Sequence, residues 1–281
     1  MLIAITTALV LVLAVAQPAA AKKRGPVAAF ETSASATATG DGSTASATAS
    51  CPPGTKVAGG GFYAPYSYQV IPIVYESVMA GKREWRSSVQ LLDPSGASTL
   101  TLTTYAYCRP GLPSVKAATQ SAQTTGELGL GPSLEASCPG DSAAIAGGFQ
   151  MPPPLSSGLV SALLFDSAAS SPNSWTSRYV TGTVGAVTVS SEVYCDKRDE
   201  APTEVAVSSA SNNSDFSSSS ATADCPAGTN PVAGGFAQPD ANLASFFLVY
   251  ESRRDGDSWR VSGLHTGNDP AATLSSAAYC A

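Results

Sequence analysis

Cys51, Cys138 and Cys225 stand 87 residues apart, twice in succession and without a gap. An interval that long, kept twice, means one structural unit written three times. Second cysteines, Cys108, Cys195 and Cys280, follow after 57, 57 and 55 residues, each preceded by a tyrosine (Tyr107, Tyr194, Tyr279). A phenylalanine stands at the same distance after each first cysteine, closing AGGGF at Phe62 and AGGF at Phe149 and Phe236. VYES (Val74 to Ser77), LFDS (Leu164 to Ser167) and VYES (Val249 to Ser252) come next, then one tryptophan per copy: Trp85, Trp175 and Trp259. Any fold for this chain must therefore use the same small module three times.

Within a copy the pattern is β throughout. Ala34 to Thr39, the turn Gly40-Asp41-Gly42 and the return Thr44 to Ser50 alternate with a period of two, which predicts a hairpin. Disorder is the rival for such Ser/Thr/Ala tracts, most of all at Ser217 to Ser220. Cys51-Pro52-Pro53-Gly54-Thr55 and Cys225-Pro226-Ala227-Gly228-Thr229 end a strand in a turn, while Cys138-Pro139-Gly140-Asp141 moves its glycine one place earlier. Gly60-Gly61, Gly147-Gly148 and Gly234-Gly235 predict bulges or close backbone approach, and no helical period follows them that would make a phosphate cradle. The fold class is all-β: three tandem disulfide-stapled units, residues 31–110, 116–197 and 203–281, joined by Arg109-Pro110-Gly111 and Ala201-Pro202.

Ile3 to Ala16 is almost wholly apolar, Gln17-Pro18 breaks it, and Ala19-Ala20-Ala21 supplies small residues for a signal peptidase. Residues 1–21 read as an export signal and 22–30 as a linker. The alternative is an anchor held by Lys22-Lys23-Arg24, although the run falls short of the roughly 20 residues a spanning helix needs. No later segment is long enough to span. The expectation is a secreted, extracellular or cell-envelope protein. Six cysteines suit that compartment, and threefold repetition leaves two pairings: within copies (Cys51 with Cys108, Cys138 with Cys195, Cys225 with Cys280) or between neighbours. The internal set is favoured because each copy then repeats one contact pattern. Much of the 43% hydrophobic content is alanine, which buries little area, so such cross-links would matter.

The motif C-P-x-G-T, then G-G-F, then a closing Y-C resembles secreted repeat domains of high-GC actinobacteria and their relatives, a family with no established activity; the likeness covers nearly all of residues 31–281. More distantly, the threefold order of cysteine, glycine-rich G-F strand and cysteine is similar to vitelline membrane outer layer protein, whose three sheets form a β-prism. That resemblance implies a closed pseudo-threefold prism, while the residues equally allow three separate small sandwiches.

A formal charge of −6 with only 13% charged residues excludes a broad basic surface, so nucleic acid is not an expected partner. No metal site or cofactor is expected: the cysteines lack the short spacing of zinc knuckles, and His265 is the single histidine, read as a solvated surface residue. No G-x-S-x-G surrounds any serine. Glu76, Asp166 and Glu251 occupy one place in the three copies; a closed ring would bring them together as a hydrolase candidate, and capping of a turn is the plainer use. Trp85, Trp175 and Trp259 are either core residues or three stacking platforms for a sugar. Tyr63, Tyr66 and Tyr68 cluster in the first copy beside Pro65, where the others carry Met151-Pro152-Pro153-Pro154 and Pro239-Asp240; a loop that varies on a fixed frame is where a partner binds. The expected role is a non-catalytic structural or interaction protein, with cell-wall or extracellular polysaccharide or protein as partner. A lectin-like protein is the alternative and a hydrolase the third choice. Asn212-Asn213-Ser214 is a glycosylation sequon only in a host that glycosylates.

Overall fold

A computed structural model describes residues 29–112, 115–153, 161–182, 185–196, 203–212, 216–267 and 272–281, with backbone alone at 203–206 and 212. The export signal, nearly all of the 22–30 linker, Ala201-Pro202, Pro154 and the Asn213-Ser214 end of the sequon lie outside the described residues. The described chain is all β. The first copy forms β1 (Phe30–Thr39), β2 (Thr44–Ser50), β3 (Thr55–Tyr63), β4 (Ile71–Gly81), β5 (Glu84–Leu92) and β6 (Thr99–Pro110). The second forms β7 (Lys116–Gln123), β8 (Gly129–Ser137), β9 (Ala143–Gln150), β10 (Ala162–Ser171), β11 (Ser174–Thr181) and β12 (Thr188–Asp196). The third forms β13 (Thr203–Asn212), β14 (Ser218–Asp224), β15 (Pro231–Ala237), β16 (Ser245–Asp255), β17 (Ser258–Gly267) and β18 (Ala272–Cys280).

Sheets and copies do not coincide. Sheet I runs β1-β6-β3-β16-β17-β14, sheet II β2-β5-β4-β9-β12-β7, and sheet III β13-β18-β15-β10-β11-β8. Each sheet takes the first, sixth and third strands of one copy and the fourth, fifth and second strands of another. Sheet II joins the first and second copies, sheet III the second and third, and sheet I closes the ring between third and first. Of the two architectures the sequence allows, the strand order is that of the closed three-sheet ring, not of three separate sandwiches.

The predicted hairpin forms as two strands and a turn, but its strands do not pair with each other. β1 pairs with β6 from Phe30↔Cys108 to Thr39↔Thr99, and β2 pairs with β5 from Thr44↔Gln90 to Ser50↔Glu84. Alternation decides which face is buried, and β2 buries Ala45, Ala47 and Ala49 in turn, but it does not name the partner edge. The Ser217 to Ser220 run is ordered from Ser218, as β14 against β17, with Ala221 and Ala223 buried; the alanines supply the face that a serine run lacks.

All three disulfides are internal to their copies: Cys51–Cys108, Cys138–Cys195 and Cys225–Cys280, with Cα atoms 5.6, 5.7 and 5.8 Å apart. Because β2 and β6 belong to different sheets, each bridge crosses from one sheet to the next, and the three bridges clamp the three pairs of sheets. In the middle of each sheet the copies meet through a short ladder: Glu251↔Tyr63 and Ser252↔Phe62, Glu76↔Gln150 and Ser77↔Phe149, and Ser167↔Phe236. The second glycine of each pair makes this approach possible. A Cβ at Gly148 would lie 2.6 Å from the Ser77 carbonyl oxygen, and one at Gly235 the same distance from that of Ser167. The bulges fall just before the glycines in β3 and β15, between Val57 and Gly59 and between Pro231 and Ala233.

Candidate functional site

Each tryptophan lies across the first glycine of its own copy's pair, Trp85 on Gly60, Trp175 on Gly147 and Trp259 on Gly234, so tightly that a Cβ there would fall inside the indole. The indoles are 1%, 2% and 0% exposed, so of the two uses the sequence allows they are core residues and not sugar platforms: the strand that carries each one turns it inward over a glycine that leaves room for a ring. Buried indole N–H groups need an acceptor. Trp85 Nε1 donates to Ser77 Oγ at 3.0 Å, Trp175 to Ser167 at 2.9 Å and Trp259 to Ser252 at 3.0 Å. The tyrosine before each second cysteine meets the tryptophan of the adjoining copy, Tyr194 on Trp85, Tyr279 on Trp175 and Tyr107 on Trp259, with centroids 5.4, 5.3 and 5.4 Å apart. Their phenol oxygens accept the backbone N–H of Met79, Ala169 and Arg254 at 2.7, 2.8 and 2.7 Å. Burial, the first cause in each case, drives the Tyr107 and Tyr194 phenols well above their ordinary pKa. Phe62, Phe149 and Phe236 meet edge to face at the centre, 6.1 and 6.4 Å apart.

The acids do not converge. Glu76 lies on sheet II, Asp166 on sheet III and Glu251 on sheet I, each beside a bulge and each held by arginine on its own sheet. Arg86 donates to both Glu76 oxygens at 2.6 and 3.0 Å, and Ser88 Oγ adds a bond at 2.6 Å. Glu251 takes Arg253 at 2.8 Å, Arg260 at 3.3 Å and the Ser262 hydroxyl. In the second copy Thr176 stands where the others have Arg86 and Arg260, and the cation moves two residues along the same strand face to Arg178, 2.6 Å from Asp166. Burial raises the Asp166 pKa, opposed by the Gln238 N–H at 2.6 Å and by Arg178. Among the described residues no three His, Cys, Asp or Glu side chains form a group that could hold a metal. A convergent carboxylate site is therefore not what these positions build.

His265 is not solvated, contrary to expectation: it is fully buried, its Nε2 2.9 Å from Ser245 Oγ and its ring against Phe247. It takes the place that Leu91 holds in the first copy, and the interior excludes water from both.

The first-copy tyrosines are the candidates that reach the surface. Tyr63 lies on the outer side of sheet I with Tyr105, and the Arg253 guanidinium sits over both rings at 5.7 and 5.8 Å. Tyr66 stacks on Tyr250 of the third copy at 6.1 Å, and Tyr68 is 84% exposed. Burial first, then Tyr68 and Tyr250, raises the Tyr66 phenol pKa. Phe216, half exposed, joins this group, its carbonyl accepting from Tyr66 Oη at 3.4 Å. Sequence reasoning passed over Phe216, Tyr105, Tyr250 and Arg253, because the partners come from two copies. The available signal was positional: Phe216 precedes Cys225 by the same interval as Gly42 precedes Cys51. No protein-family model matches the chain, and no curated protein matches it.

Proposed function

We propose that this is an exported, non-catalytic structural and interaction protein of the cell envelope or extracellular space. It is a disulfide-clamped frame that carries binding loops on its surface. One observation carries the reading. The features that recur in all three copies, the cysteines, paired glycines, phenylalanines, serines, tryptophans and tyrosines, are spent on the interior and the joints between sheets. The exposed aromatic rings lie where the copies differ. Three formed disulfides suit an oxidising compartment, in keeping with the apolar run at Ile3 to Ala16. Each repeated acid is neutralised where it stands, which speaks against the hydrolase.

The test is twofold. Expressed with residues 1–21 intact in an exporting host, the protein is expected outside the cytoplasm, cut after this run and free of thiols. Incubated with cell-wall polysaccharides and peptides, it is expected to release no product. Hydrolysis that disappears in Glu76→Gln, Asp166→Asn or Glu251→Gln would contradict the reading.

A further inference from the structure

Phe216 has φ +54°, and it is the one non-glycine residue with positive φ among the described residues. Its counterpart in the first copy, Gly42, has φ +70°. The two sit in the same hydrogen-bonded frame: Gly42 N–H donates to the Leu91 carbonyl at 2.9 Å and Phe216 N–H to the His265 carbonyl at 3.0 Å. The left-handed conformation suits glycine and is unfavourable for a residue with a bulky side chain. The third copy thus holds an aromatic residue where the frame calls for glycine, and leaves the ring 51% exposed, so the strain does not serve the core. Backbone strain retained at an exposed side chain points to a function of that side chain.

Its surroundings say what kind. Across the closing joint of sheet I stands the turn 64–70 of the first copy. Ala64 N–H is tied to the Tyr250 carbonyl at 2.8 Å, and Ser67 and Val70 exchange two backbone bonds of 3.2 and 2.9 Å. Tyr68 is thereby presented from a closed turn, beside Tyr66 on its Tyr250 support, and Ser218 Oγ lies 2.7 Å from Tyr250 Oη. A turn whose backbone is tied before binding loses less entropy on binding. Residues 64–70 and 216–220 carry no charged side chain, and Arg253 and Arg260 nearby are engaged by Glu251 and Asp255. A phosphate backbone or an anionic lipid surface needs free cations, which this patch lacks. The residues next to these aromatics in the chain, Ser67, Gln69 and Ser217, are neutral hydroxyls and an amide, and aromatic faces with such neighbours match the pyranose ring, which has C–H groups on its face and hydroxyls on its rim.

We propose that Tyr66, Tyr68 and Phe216 form a binding site for a neutral polysaccharide, assembled only when the first and third copies meet in sheet I. This rests on the non-catalytic reading above and adds its ligand class. The test is affinity electrophoresis of the folded protein in native gels containing dextran, soluble starch, mannan, galactomannan or laminarin, with polygalacturonate as anionic control. At least one neutral polymer is expected to retard the wild type, and Phe216→Gly and Tyr68→Ser each to weaken that retardation at least tenfold. Phe216→Gly is also expected to melt at the same temperature as wild type or higher, a result that a structural role for the ring would not give. Three results would overturn the site: no retardation by any neutral polymer, retardation unchanged by both substitutions, or retardation by polygalacturonate alone. Self-association of the wild type that Phe216→Gly abolishes would assign the patch to a second copy of the chain and overturn it equally. The non-catalytic reading fails by a different outcome, release of product, so the two failures are distinguishable.

Discussion

Ser252 and Arg253 are neighbours on β16. The Ser252 hydroxyl takes the Trp259 N–H inside the ring, as Ser77 and Ser167 do for their own tryptophans. Arg253 lies over Tyr63 and Tyr105, where the other copies place Val78 and Ala168. Inside, three copies must meet around shared neighbours, so a change in one copy alone leaves a misfit with the next. Outside, water is the common neighbour, and each copy is free to differ. Threefold agreement therefore marks the frame, and where agreement is lost at exposed positions it marks the surface available for recognition; His265 in the place of Leu91 shows that a buried position can differ as well.

This contrast predicts where substitutions hurt. Replacing both Cys138 and Cys195 by serine removes a corner clamp closing 57 residues and is expected to cost about 4 kcal/mol in the chain-entropy treatment, read from urea unfolding curves. A destabilisation below about 1 kcal/mol would mean that the corner holds without its bridge. Gly60→Ala, which drives a methyl into the Trp85 indole, is expected to cost about 3 kcal/mol. Adding Trp85→Leu should recover part of that loss; simple additivity of the two changes would break the claim that they share one space. Tyr194→Phe leaves the Met79 N–H without its acceptor in the sheet joint, at a cost of about 1 to 2 kcal/mol.

The smallest effect belongs to a surface turn peculiar to the first copy. Asp93 is buried and accepts bonds from Ser95 Oγ at 2.6 Å and from the Ser98 and Ser95 N–H groups at 2.6 and 2.9 Å. These bonds, the Ser95 hydroxyl first, hold its carboxyl well below the usual carboxylate range. A pKa lowered by folding adds stability that is fully present above the unfolded value, about 3.9, and is lost as pH falls toward the folded value. Thermal unfolding measured from pH 6 to pH 2 should therefore be less steep at its acid end in Asp93→Asn than in wild type.

Much of the frame was legible because its signals are local. Alternation marked β2, the Cys-Pro turns marked strand ends, and equal intervals favoured the internal disulfides. The paired glycines were read as places of close approach, and they are. What was not legible is which edges meet. The strands β1 and β2 look like a hairpin because local alternation contains nothing about partner strands, and only the register with β6 and β5 separates them. Core use of the tryptophans was among the expectations, but what each one packs on was not legible, for the same reason. Trp85 fills the space above Gly60 from a strand in another sheet, so neither residue alone announces the pair. For the acids, repetition left convergence open: a repeated position need not face the axis, and Glu76, Asp166 and Glu251 are each held by an arginine beside them.

If each sheet is made by two copies, one copy holds only half-sheets with open edges. The direct test is residues 29–112 produced alone with Cys51–Cys108 oxidised, followed by circular dichroism and sedimentation. The shared-sheet account predicts a monomer with no cooperative melting transition. A stable monomer that melts cooperatively would contradict it and make each copy a domain in its own right.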